Sequence, residues 1–180
     1  MKQNQLIKNF LIMMACFVFD SCIAYFLPYN LTKTGITFIP SIGLMMFILL
    51  CKTLHDRYER FFFAAICGFY YAITYTNSML IFILIYMVIA FIRTYVIYED
   101  PLSLISYLLF VTVVLSLKEI SIYFLLRSFG ITSLYMKAYF PLRFLPTVAI
   151  NLLFAPLIHL VYLWFDFEVK PNEFDKGQLI

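Results

Sequence analysis

The sequence predicts an all-α polytopic membrane protein, and three observations carry that reading. Hydrophobic residues make up 64% of the 180 positions and charged residues only 13%, against roughly half and a quarter in soluble domains. The apolar residues run continuously, in stretches that match the ~20 residues of a spanning helix, without the alternation a transmembrane β-barrel needs. The 13 Lys and Arg and 10 Asp and Glu fall in short clusters between those stretches, a pattern of membrane topology and not of a nucleic-acid surface. The expectation is about six spans forming a single bundle over residues 1–165, followed by a polar tail at 166–180 that has no reason to fold alone.

The first apolar stretch, 9–27, follows Lys2 and Lys8 but contains Asp20 and precedes no small-x-small cleavage site, so it reads as a retained helix and not a signal peptide. Pro28 and Asn30 stop it. The second helix is expected at 36–51, with Pro40 in its first turn where a missing N–H costs little. A charged loop at 52–60 closes it. Residues 61–98 would measure about 57 Å as one helix at ~1.5 Å per residue, nearly twice the hydrocarbon thickness, so they must break. The polar run Thr74 to Ser78 is the candidate turn, giving a short third helix at 61–75 and a fourth at 79–95. Glu99, Asp100 and Pro101 suit the N-terminus of a fifth helix at 102–126. A loop at 127–139 around Gly130 leads to a sixth helix at 142–165.

With the N-terminus inside, Lys2, Lys8, Lys52, Arg57, Arg60, Arg93, Lys170 and Lys176 lie on the cytoplasmic side, against Lys33, Arg127, Lys137 and Arg143 outside. Eight against four places both termini of the multi-pass chain in the cytoplasm.

No catalytic, cofactor or metal constellation is legible, and the chain is expected not to be an enzyme. Cys16, Cys22, Cys51 and Cys67 have no zinc spacing and read as buried, reduced packing residues. His55 and His159 each stand alone, without HExxH or a partner nucleophile. Of the many tyrosines, Tyr25, Tyr29, Tyr58, Tyr95, Tyr98, Tyr135 and Tyr139 fall near expected interfaces, where amphipathic rings prefer to sit.

Ionisable groups at membrane depth are costly and are by default paired or turned inward. Asp20 in the first helix and Lys118–Glu119 in the fifth qualify. Adjacent helical residues point about 100° apart, so Lys118 is expected to snorkel outward while Glu119 faces the bundle. Arg143, Thr147 and Asn151 recur every four residues and make one polar stripe on the sixth helix. A Glu119–Arg143 pair at similar depth on antiparallel neighbours follows. It reads as a contact that locks the bundle, since no second acidic site lies in line for a relay.

These residues also carry a resemblance. Residues 143–157, RFLPTVAINLLFAPL, resemble the last helix of the rod-shape-determining protein MreD family, with its R-x-L-P-T, N-x-L-F and proline. Lys118–Glu119 resembles that family's glutamate in the preceding helix, Asp20–Ser21 its acidic-small pair in the first, and residues 61–86 its tyrosine-bearing third and fourth helices. Where the family commonly has an Asp after the tyrosine of the third helix, this chain has Tyr70-Tyr71-Ala72. The resemblance implies a fold similar to the S component of energy-coupling-factor transporters. It also implies a membrane scaffold that binds MreC and works with RodA and a class B penicillin-binding protein in peptidoglycan synthesis and cell shape. The alternative is an S component that binds a vitamin, but the A-x-x-x-A pattern of such proteins fails here, since Phe19 follows Ala15 and Asp20 precedes Ala24. Gly68 and Ala72 are the small residues expected to face a partner helix.

The topology is directly testable. Cysteines at Thr34 and Ser133 should react with an impermeant thiol reagent in intact cells and one at Asn172 should not; labelling at Asn172 would mean an odd number of spans.

Overall fold

The computed structural model describes residues 2–26, 36–54, 56–75, 79–96, 103–130, 132–165 and 167. Among them every regular element is helical: α1 (Lys2–Phe26), α2 (Ile42–Thr53), α3 (Arg57–Tyr75), α4 (Met79–Val96), α5 (Leu104–Ser128) and α6 (Met136–Trp164). α1, α5 and α6 are long and apolar enough to cross a membrane, while α2 and α4 contain shorter apolar stretches. The chain is an all-α protein of membrane-embedded character.

Helix α2 is the axle. Every residue from Ile39 to Cys51 is buried, and α1, α3, α4 and α6 pack around it. A helix that is apolar on all sides has no solvent face to offer and belongs in the middle of a bundle. It begins six residues later than the sequence suggests, because residues 36–41 run without helical structure into Ser41. Pro40 explains the difference, since the pyrrolidine ring drives the preceding residue, Ile39, out of the α region, so the proline precedes the helix instead of opening it.

Other boundaries also move. α3 starts at Arg57, so the end of the expected charged loop is helical and the helix has 19 residues, about 28 Å long. α5 is capped by Ser103, whose Oγ accepts the Ser106 N–H at 3.2 Å, while Glu99, Asp100 and Pro101 lie outside the described residues, as do 76–78 of the expected turn. Past α5 the chain turns at Gly130, with φ +68°, and α6 resumes at Met136, before the expected start at 142. The helix passes through Pro141 by widening into a π-helical segment at Phe140–Phe144, since a proline removes a hydrogen bond and crowds the turn before it.

The two ends of the bundle meet. Lys8 Nζ donates to the Phe165 carbonyl at 2.7 Å, and Asn9 Nδ2 to that of Phe167 at 3.4 Å. Phe167 stacks on Tyr162, 5.3 Å between centroids. The start of α1 and the end of α6 therefore share one face of the bundle. Of the expected tail, only Phe167 is described.

Gly68 and Ala72 do not face a partner, as expected from sequence; both are buried within the chain. Ala64, Gly68 and Ala72, four residues apart, form a small-residue stripe on which the backbone of α4 rides, the close approach such stripes allow in membranes. A Cβ at Gly68 would lie 2.5 Å from Ile83 Cα. Gly68→Ala should thus destabilise the protein in detergent by an amount typical of overpacking, about 1–3 kcal/mol, read as a lower thermal unfolding midpoint. An unchanged midpoint would show that α3 and α4 are not in this contact.

Candidate functional site

Residues 37–41 run without helical geometry into the bundle, where each backbone N–H and C=O needs a partner from protein. α6 supplies them along its polar stripe. Thr37 N–H donates to the Leu142 carbonyl at 2.9 Å. That carbonyl is available because its α-helical partner four residues on would be Pro146, which has no N–H. Ile39 N–H donates to Thr147 Oγ1 at 3.3 Å. Asn151 then serves both sides of one peptide stretch: its Oδ1 accepts the Ser41 N–H and its Nδ2 donates to the Ile39 carbonyl, each at 2.8 Å, with a further bond to Thr147 O at 2.7 Å. The donors at 37, 39 and 41 alternate as an extended chain requires.

The start of α2 is capped from another helix. Ser41 occupies the N-cap position but its side chain makes no cap bond. Asp20 of α1 does so instead, with Oδ1 accepting from Ile42 N–H and Oδ2 from Gly43 N–H, both at 2.8 Å. A carboxylate there satisfies two orphan donors and meets the positive end of the helix dipole.

Freed from capping, Ser41 Oγ accepts from Lys118 Nζ at 2.8 Å. Lys118 does not snorkel outward; its side chain is fully buried. Its ammonium also donates to Tyr71 OH at 3.3 Å and lies 3.2 Å from Glu119 Oε1. The long stem makes this possible: Lys118 and Glu119 leave the helix in different directions, and four methylenes let the ammonium swing back inside. Glu119 Oε2 accepts from Tyr139 OH at 2.9 Å and lies 3.5 Å from Arg143 Nε. The pair expected from sequence is thus brought together, flanked by two residues not included in it.

Asp20, Glu119, Arg143, Thr147 and Asn151 are all buried and join one network through Ser41 and Lys118. Lys118 had been legible as a charge inside a span. Ser41, Tyr71 and Tyr139 had no distinguishing signal, and Tyr139 sits in the network and not at an interface. Tyr25, Tyr58 and Tyr135 are exposed as interfacial rings would be, and Cys22 is exposed while Cys51 and Cys67 are buried. His159 packs against Tyr107, 5.5 Å between ring centroids; His55 lies outside the described residues. No group of three or more His, Cys, Asp or Glu among the described residues is placed to hold a metal ion.

No family model, curated protein or solved structure matches the chain.

The network's chemistry is that of a lock. Two formal cations and two formal anions alternate from Asp20 through Lys118 and Glu119 to Arg143; hydrogen bonds to Ile42, Gly43, Ser41, Tyr71 and Tyr139, with the ion contacts of Glu119 to Lys118 and Arg143, join α1, α3, α5 and α6 to the entry of α2. Glu119→Gln and Arg143→Gln should each destabilise the solubilised protein by an amount typical of breaking a buried pair, about 3–5 kcal/mol, read as a lower thermal midpoint. The double change should cost less than the sum, because it leaves no charge unpaired. Strict additivity would show that the two act on separate partners.

Proposed function

We propose that the chain is a non-enzymatic membrane scaffold of the cell-wall elongation machinery, of the MreD kind. In this reading it holds an MreC-like single-pass protein and helps position peptidoglycan synthesis by a RodA and class B penicillin-binding protein complex. One observation carries the reading: the residues through which the sequence resembles that family, Asp20, Glu119, Arg143, Thr147 and Asn151, converge on one buried network whose side chains bond to the bundle itself. A network engaged in this way gives a rigid body, and a rigid body embedded in lipid acts by offering surface to other membrane proteins.

The bundle makes six spans in this reading, with both termini in the cytoplasm of a bacterial plasma membrane. The meeting of Lys8 with Phe165 supports an even number of crossings, and the excess of Lys and Arg on that side supports the orientation. The S-component likeness in fold belongs to the same reading.

The test is co-purification. The tagged protein, extracted in mild detergent, should bring down an MreC-like single-pass protein, and its depletion should round or widen the cells. Nanomolar binding of a water-soluble vitamin, with co-purification of an ATPase pair and unchanged cell shape, would replace this reading with the S-component one.

A further inference from the structure

Two arginines share the first turn of α3 and meet opposite surroundings. Arg57 is exposed, its guanidinium laid over the Phe61 ring at 5.6 Å from the centroid. Arg60 is buried, 8% accessible, on the inner stripe that continues through Ala64, Cys67 and Tyr71. Its side chain has no ion pair, hydrogen bond or ring contact among the described residues. The acids nearest in sequence do not supply one. Asp56 Oδ1 accepts the Tyr58 N–H at 2.9 Å, and neither Asp56 nor Glu59 pairs with Arg60.

A guanidinium is always charged and carries five N–H donors, and burying a charge is costly unless it is paired and hydrogen-bonded. Among the described residues the other buried Asp, Glu, Lys and Arg side chains are Asp20, Lys118, Glu119 and Arg143, all held in the network. Arg60 is the exception, so its counter-ion comes from outside the chain. The opening is at its head: the guanidinium nitrogens are unbonded yet are not sealed from the surface, whereas Nε of Arg143 is.

Depth decides which anion stands there. Phe63, one turn further along α3, meets Phe10 of α1 edge-on at 5.8 Å. Arg60 therefore lies at the end of the bundle where Lys8 bonds the Phe165 carbonyl. Tyr58 in the same turn is 84% exposed, as a ring at headgroup level is, and Phe62 one turn deeper is exposed toward the hydrocarbon. We infer that Arg60 is the seat of a membrane-lipid phosphate. The planar fork can give two parallel N–H bonds to two phosphate oxygens. A snorkelling arginine would carry its head out along the surface to the phosphates; Arg60 is held on the inner face, so the phosphate comes to it. Free phosphate offers the same oxygens, but at the edge of the hydrocarbon the phosphate in reach is one that carries acyl chains. This site is independent of the scaffold reading.

The test uses the delipidated full-length protein in a non-ionic detergent, titrated separately with phosphatidylglycerol, with diacylglycerol of the same chains and with inorganic phosphate. Phosphatidylglycerol should raise the thermal midpoint and give a one-lipid adduct in native mass spectrometry, and the other two should do neither. Arg60→Met should weaken that adduct about tenfold or more, the loss expected for a hydrogen bond to a charged group. Arg57→Gln, on the same turn, should leave it unchanged. Without lipid, Arg60→Met should hold or raise the midpoint, because it removes an unpaired buried charge; a fall would reveal a partner within the chain and overturn the inference. Equal adducts in the wild type and Arg60→Met, or an equal response to diacylglycerol, would overturn it as well. An equal response to inorganic phosphate would overturn the lipid as the source.

Discussion

A peptide chain that leaves helical geometry inside an apolar bundle must still bond its N–H and C=O groups, and residues 37–41 impose that demand on the helices around them. Leaving one backbone group unbonded in hydrocarbon costs several kcal/mol. An interhelical side-chain bond contributes on average only about 0.6 kcal/mol in a membrane protein. The value of Asp20, Thr147 and Asn151 therefore lies less in the bonds they add than in the unpaired groups they prevent. Their placement follows: an amide where one peptide stretch needs both a donor and an acceptor, a carboxylate where two adjacent N–H groups point the same way, and a hydroxyl where a single N–H remains.

The same demand accounts for the charges. With Asp20 taking over the cap, Ser41 is released to hold Lys118, and Lys118 brings Glu119, Tyr139 and Arg143 into the same network. Buried ion pairs are weak evidence of stability, since desolvation offsets much of their attraction. They fix registry more surely than they add free energy, and here they fix the depth of α5 against α6 and of both against the start of α2.

Much of this was legible in the sequence wherever a residue broke the rules of its surroundings. Arg143, Thr147 and Asn151 are conspicuous because polar groups at intervals of four mark one face of a helix that is otherwise apolar, and Asp20 and Glu119 because a charge in a span has to face inward. What stayed hidden depends on choices between neighbours. Pro40 suits the first turn of a helix and equally the residue before one, and only the bonds that α6 offers to 37, 39 and 41 decide between them. Lys118 has a stem long enough to reach lipid headgroups or the bundle's centre, and Ser41 and Tyr71 decide. Gly68 and Ala72 announce close packing, but a small stripe does not say whether the helix it receives is its own neighbour or another chain's.

The bonds from Asn151 to Ser41 span 110 residues of sequence, and this bears on how the protein is made. At ~5–20 residues per second, the ribosome takes about 5–20 s to deliver the second partner after the first. Throughout that interval the segment before α2 sits in or beside the bilayer with donors at 37, 39 and 41 that no emerged helix can satisfy. Asp20 is present from the start, so the cap on α2 forms early. The extended segment does not close until the last helix has entered. Biogenesis of this bundle is therefore a wait for α6, and the waiting intermediate needs a hydrated or protein-lined place to stand, such as the lateral cavity of an insertase.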